Sequence, residues 1–244
     1  MSATRIIGHR GDPESALENT EAAFRAALDA GAQIIETDVR LTTDGHIVVA
    51  HDPDFSRFGG PAIPIRRCTR SDLQALPLVD DRGYRGTPLF FDEALERFPG
   101  IRFNVDLKDP GASIVRAWCA LLDRHDAWPR CRTASFRDRS LRQFRRLAPG
   151  APVSLGRFAV LTLLASGYLG GPRRPRPGEG VVQVPEKAGP IRIVTPRRID
   201  LWRRRGWKTQ VWTVDNEDDM VRLVSWGVDG IITNRPSLLQ RILN

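Results

Sequence analysis

Four short stretches of this chain hold the residue types that do chemistry. Gly8-His9-Arg10-Gly11 and Ala50-His51-Asp52 contain two of its four histidines, and Glu36-Thr37-Asp38 lies between them. Further on, Phe103-Asn104-Val105-Asp106-Leu107-Lys108 alternates polar with apolar side chains. His9 and His51 follow the apolar runs Arg5-Ile6-Ile7 and Ile47-Val48-Val49, where a strand would hand its next residue to a catalytic face. Carboxylates at i and i+2 leave a strand on the same side, so Glu36 and Asp38 point together. With Asp106, three carboxylates turned into one mouth repel each other, and a bound cation relieves that repulsion. An all-oxygen donor set favours Mg²⁺ or Ca²⁺ over zinc. Arg10 and Lys108 make the same pocket strongly positive, which suits a phosphodiester as its transition state gathers charge. His9 and His51 titrate near neutrality and can serve there as an acid–base pair. Taken singly, a strand-end histidine is as readily a hydrogen-bonded core residue, and a Glu-x-Asp pair a surface one. The conjunction is what points to metal-assisted chemistry on a phosphate ester. His46 and His125 read as structural or solvated.

These groups need strands to present them. Apolar runs at 4–8, 33–38, 101–107, 131–134, 151–155, 181–184, 209–214 and 230–233 read as strands. Helical patterns at 20–30, 92–98, 113–126, 138–147, 157–166, 195–205, 216–226 and 236–243 alternate with them. Asn19 and Thr20 offer caps to the first helix and Gly31 ends it. Such alternation implies βαβ units and a parallel sheet, and eight repeats predict a (β/α)₈ TIM-type barrel. Barrel enzymes build their sites at the C-terminal ends of the strands. After Asp38 an Asp44-Gly45 turn predicts a β-hairpin that carries His51 back over the mouth. The long Gly- and Pro-rich connection from about 53 to 88 reads as a lid or substrate collar on that face. A second loop, 167–180, reads as flexible and basic. With Phe158–Leu164 it could touch anionic lipid as an interfacial patch, or be an ordinary surface loop after a barrel helix. Trp212, among β-branched neighbours, faces either the mouth, where it could stack on an alcohol backbone or choline-like headgroup, or the core.

Composition narrows the class. At 244 residues, 41% apolar and 27% charged, the chain suits one globular domain, 1–244, with an insertion at about 53–88. Three cysteines, none in a CxxC pair, argue against a disulfide scaffold and for a reducing compartment. Neither a signal peptide nor a membrane span is visible, so a cytoplasmic enzyme is expected, possible contact with anionic membrane being peripheral. The excess of Lys and Arg over acids, 37 to 29, could attract phosphorylated metabolites, anionic lipid or nucleic acid. Its arginines read as a solvated surface, and without a nucleic-acid-binding signature a nucleic-acid partner is not expected.

The same residues resemble a known family. His9-Arg10-Gly11, Glu18-Asn19-Thr20 with Ala23-Phe24, Gly31, Glu36-Thr37-Asp38-Val39, Thr43-Asp44-Gly45 and Val48-Val49-Ala50-His51-Asp52 are similar to the glycerophosphodiester phosphodiesterases. So are Val211-Trp212-Thr213-Val214-Asp215 and Gly227-Val228-Asp229-Gly230-Ile231-Ile232-Thr233-Asn234-Arg235-Pro236. The resemblance implies hydrolysis of glycerophosphodiesters to glycerol 3-phosphate and an alcohol. It implies His9 and His51 as general acid and base, and Glu36, Asp38 and Asp106 as metal ligands. It also implies Arg10 and Lys108 on the phosphate and Trp212 beside the glycerol or headgroup. By the same resemblance the substrate's own glycerol hydroxyl attacks phosphorus, and water then opens the cyclic phosphate. Two positions depart from the family pattern. Asp106 stands where the family usually has Glu, a shorter arm that draws the ion toward its strand or admits a water; the related venom-type phospholipases D also use Asp there. Asn234 stands where Asp is usual and reads as a turn or helix-cap substitute. Two alternatives are a lysophospholipase D that admits acyl chains through 53–88 and Phe158–Leu164, and a catalytically silent barrel that binds phospho-ligands or membrane.

Overall fold

The computed structural model of the chain describes residues 4–166 and 173–244. β1 (Arg5–His9) leads to α1 (Glu21–Asp29), where the Thr20 hydroxyl accepts from the Ala23 N–H as the cap. Asn19 is not the cap; its side-chain oxygen accepts from the Thr37 hydroxyl and ties this loop to the next strand. β2 (Ile34–Leu41) turns at Asp44-Gly45 into β3 (Ile47–Val49), which pairs antiparallel with it as the expected hairpin. Residues 53–88 contain α2 (Arg70–Leu73) and the ribbon β4 (Leu78–Val79) and β5 (Arg85–Gly86). Then come α3 (Phe91–Arg97), β6 (Arg102–Leu107), α4 (Ala112–Arg124), β7 (Cys131–Ala134), α5 (Asp138–Leu147) and α6 (Arg157–Ser166). The last part holds β8 (Val181–Pro185), the ribbon β9 (Lys187–Ala188) and β10 (Ile191–Arg192), and α7 (Pro196–Arg204). It closes with β11 (Lys208–Trp212), α8 (Glu217–Ser225), β12 (Gly230–Thr233) and α9 (Pro236–Leu243).

The main sheet curls in the order β7-β6-β2-β1-β12-β11-β8, every neighbour parallel, and is an α/β barrel sheet of the expected class. The predicted strand at 151–155 survives only as a bridge from Val153 to Thr133. Pro152 has no N–H to give a ladder, so Val153 donates to the Gly178 carbonyl and Ser154 to that of Thr133. Apolar residues on the outer face of the sheet meet the helices. Phe24, Phe91, Phe103 and Trp118 pack ring on ring there, and Trp118 Nε1 donates to Thr133 Oγ1 at 2.8 Å. Buried this way, the outer face leaves the inner one free for polar groups.

The 53–88 connection has a small core of its own, in which Phe55, Phe58, Ile65, Leu73 and Leu78 pack on Leu17, Val48 and Phe90. In the described part of the 167–180 loop, Arg173 is pinned by Glu179 at 2.7 Å and lies over Trp207, so that residue is docked, not loose; 167–172 lie outside the described residues. The three cysteines are free, and burial pushes the Cys131 thiol up to about 12. Among the described residues no helix is long and apolar enough to cross a membrane.

The turn after β1 is the tightest point of the frame. Arg10 sits at φ +57° and Gly11 at φ +92°, and a Cβ on Gly11 would lie 2.5 Å from the Ala23 carbonyl carbon of α1. Gly11→Ala is therefore expected to lower unfolding free energy by about 2 kcal/mol or more, from left-handed strain plus a backbone clash. Urea unfolding measures this; an unchanged midpoint contradicts it.

Candidate active site

Strand register builds the site. β1–β2 pairing sets His9 beside Glu36, and β2–β6 pairing sets Glu36 beside Asn104 and Asp38 beside Asp106. Neighbouring parallel strands lie about 4.8 Å apart, so two rows of polar groups face inward at the C-terminal end of the sheet. His9, Arg10, Glu36, Asp38, His51, Asp106, Lys108 and Trp212, the residues singled out from sequence, all line one cavity of about 700 Å³. His46 and His125 are absent from its lining.

The three carboxylates converge, and lysine stands among them. Lys108 Nζ lies 2.8 Å from Asp38 Oδ1 and 2.7 Å from Asp106 Oδ2, while Arg10 Nε lies 3.2 Å from Asp38 Oδ2. Burial drives the Asp38 carboxyl up, but Lys108 and Arg10 outweigh it and hold the carboxyl below its usual range. Asp106 ends above its usual range because burial dominates there. Glu36 goes furthest: burial, then repulsion from Asp38 and Asp106, push it well above its ordinary value. Mutual repulsion is thus met in this structure by the Lys108 ammonium and shows in the raised pKa of Glu36, and among the described residues no three acids or histidines stand in a metal-holding arrangement. Glu36 Oε2, Asp106 Oδ1 and Asn104 Oδ1 are buried without a hydrogen-bond partner. Orphaned oxygens of this kind fit a hard cation.

The two imidazoles have different backing. His9 Nδ1 meets Asn234 Oδ1 at 2.7 Å, and its Nε2 lies 3.8 Å from Glu36 Oε2. Burial, then the Arg10 charge, hold its pKa below the ordinary value. His51 Nδ1 meets Asp52 Oδ1 at 2.8 Å. Asp52 also accepts from Arg57, Arg57 pairs with Glu18, and Glu18 accepts from Arg10. This chain of charges runs from the β1 loop to the β3 loop.

Two expectations change here. Asn234 sits in the turn before α9 but does not cap it, since the N-cap position is Arg235; its side chain holds His9. The 53–88 connection does not line the cavity. Its Arg57 and Tyr84, which donates to the Glu14 carbonyl, buttress the loops that carry Arg10 and His51. The collar is built elsewhere, from Phe136, Leu155, Val160, Leu161, Leu164 and Ile193, with Trp212 edge-on to Phe136 at 5.8 Å. Sequence reasoning passed over Phe136, though an aromatic two residues beyond a strand end was a usable signal. It also passed over Asp52 as the partner of His51, although the two are adjacent in sequence.

Residues 9–238, nearly the whole chain, match the model of the glycerophosphoryl diester phosphodiesterase family. The chain belongs to that family. It is 31% identical over 242 residues to a probable glycerophosphodiester phosphodiesterase 2 of Mycobacterium tuberculosis, covering 97% of this chain and 89% of that protein. The crystal structure of a putative glycerophosphoryl diester phosphodiesterase from Silicibacter pomeroyi superposes with a TM-score of 0.81 at 26% identity, covering 99% and 93% of the two chains. A phosphodiesterase from Oleispira antarctica, solved in complex with the product sn-glycerol-3-phosphate, shares the fold with a TM-score of 0.76 at 21% identity over 98% and 96%. As a glycerophosphoryl diester phosphodiesterase the chain is a hydrolase, and its cavity lies at the strand ends, the face on which barrel enzymes build their sites.

Glu36 gives this glycerophosphoryl diester phosphodiesterase a pH signature. Its folded pKa lies above its ordinary 4.5, so the folded state holds the extra proton. Stability of the metal-free protein therefore falls as pH rises from 4.5 through the folded value. Glu36→Gln is expected to flatten that decline and to raise the melting temperature at pH 8. Equal slopes in the two proteins would contradict the assignment.

Proposed function

We propose that this protein hydrolyses small glycerophosphodiesters to glycerol 3-phosphate and an alcohol, with His9 and His51 as the acid–base pair. The observation that carries this reading is the convergence of two imidazoles, three carboxylates and two cations on one cavity. Arg10 and Lys108 attract the phosphodiester and offset its charge. One imidazole accepts the proton of the attacking glycerol hydroxyl as its oxygen bonds to phosphorus and the bond to the headgroup oxygen breaks. The other gives a proton to the departing alcohol. Water then opens the cyclic phosphate with the two roles exchanged. Glu36, Asp38 and Asp106 would hold a divalent cation, Mg²⁺ or Ca²⁺, and their orphaned oxygens support that donor set. When bound, such an ion supplies charge stabilisation at the phosphoryl oxygens. Asp106 and Asp38 would then exchange their Lys108 contacts for ion contacts, which frees the ammonium for phosphate.

His9→Ala and His51→Ala are each expected to lower kcat on glycerophosphocholine by roughly 10²- to 10⁴-fold, with melting curves unchanged. Excess chelator should abolish turnover, and Mg²⁺ or Ca²⁺ should restore it. Near-normal rates in either variant would refute the acid–base pair, and full activity in chelator would remove the ion.

A second reading, lysophospholipase D activity at a membrane surface, draws on the apolar half of the cavity. Val160, Leu161 and Leu164 of α6 line it beside Phe136 and Ile193; Leu161 is 60% exposed and Phe158, on the same helix, 73%. These surfaces suit an acyl chain and a peripheral lipid contact. Leu161→Asp should leave glycerophosphocholine turnover within about twofold. If the second reading holds, it should also cut lysophosphatidylcholine turnover at least tenfold; equal effects on both substrates would exclude it.

A further inference from the structure

Behind His9 stands a pair of residues outside the cavity lining whose polarity can run only one way. Asp215 Oδ1 accepts from the Thr233 hydroxyl at 2.9 Å and from the Asn234 N–H at 2.8 Å. Asp215 Oδ2 accepts from Asn234 Nδ2 at 2.6 Å. An ionised carboxylate only accepts, so the Asn234 amide must turn its NH₂ toward Asp215 and its Oδ1 toward His9. That oxygen, 2.7 Å from His9 Nδ1, also only accepts. The proton in this contact therefore belongs to His9 Nδ1. A neutral imidazole has one N–H, so its Nε2 is left as a bare lone pair on the side of Glu36.

We propose that Asp215, acting through the Asn234 amide, is the positioning residue that keeps the proton of neutral His9 on Nδ1 and the Nε2 lone pair turned into the cavity. The carboxylate of a serine-protease triad fixes its histidine tautomer by direct contact. Here the direction is passed through an amide, so no carboxylate touches Nδ1. Arg235 braces the same turn, its side chain donating to the Asp215 carbonyl at 3.2 Å. The placement of the proton stands on geometry alone. Its catalytic consequence rests on the proposed function, in which Nε2 of His9 exchanges protons with the substrate.

The test uses the intact protein with ¹⁵N-labelled histidine, in which four imidazoles are resolved by His→Gln assignment variants. The ring-nitrogen shifts of wild type should give His9 as the Nδ1–H tautomer. Asp215→Asn puts an NH₂ against the Asn234 NH₂, so the Asn234 amide flips and donates to His9 Nδ1; the proton of His9 should move to Nε2. Turnover of glycerophosphocholine should drop roughly ten- to a thousandfold in kcat, with KM within about threefold. The double variant Asp215→Asn/Asn234→Asp reverses both partners and restores an acceptor facing Nδ1. It should return the Nδ1–H tautomer and bring kcat to within about tenfold of wild type. If Asp215→Asn does not fold, Asn234→Ala serves instead and should give mixed tautomers with the same kcat-selective loss. An Nε2–H tautomer in wild type, an unmoved tautomer in Asp215→Asn, or a double variant no better than the single would each overturn the proposal. If wild type turns over no diester, the functional reading fails while the nitrogen shifts still decide the proton's place.

Discussion

Everything at the mouth of this sheet answers to one electrostatic constraint: Glu36, Asp38 and Asp106 crowd together, largely buried, on two neighbouring strands. Three negative charges at such spacing in a low-dielectric setting are unfavourable by several kcal/mol. The chain meets that cost with groups of its own. Lys108, two residues beyond Asp106, reaches back between two of the acids, Arg10 comes across from β1, and burial with the neighbouring acids pushes the Glu36 pKa up. The lysine compensation can be withdrawn, since an ammonium on a long flexible stem can swing to an anion. The site is therefore balanced without substrate yet prepared to rearrange when opposite charges arrive.

Two features keep this balance in place. The parallel register of β1, β2 and β6 sets the acids and His9 in fixed rows. The left-handed turn at Arg10 and Gly11 then brings the Arg10 chain back over Asp38, and its geometry depends on the close approach of Gly11 to α1. The run of charges Arg10, Glu18, Arg57, Asp52 ties the two histidine loops together without any of them having to be buried fully.

Much of this was legible in the sequence, because strand periodicity is a local property. Alternation in Asn104-Val105-Asp106-Leu107-Lys108 gave away which side chains turn inward, and the Ile231-Ile232 run marks the strand Gly230–Thr233. What was not legible depends on contacts between distant parts of the chain. Pro152 weakens a strand that its neighbours alone suggest. Asn234 reads as a turn residue until β12 is laid beside β1, which brings its amide to His9. The 53–88 segment has the length and composition of a lid, and only its packing on Leu17, Val48 and Phe90 reveals a buttress.

The cavity is assembled from two unlike lengths of chain. Of the ionisable groups that line it, all but Arg157 of α6 come from residues 9–108, braced by the small core of the 53–88 segment. The apolar wall comes mainly from residues 134–212, with α6, the turn after β7 and the segment from β8 to Ile193 contributing to it. Replacements in α6 can reshape what the wall accepts without touching the histidines and carboxylates at the strand ends. A lineage carrying this barrel could change its diet of headgroups by editing one stretch of polypeptide, with the chemistry inherited intact.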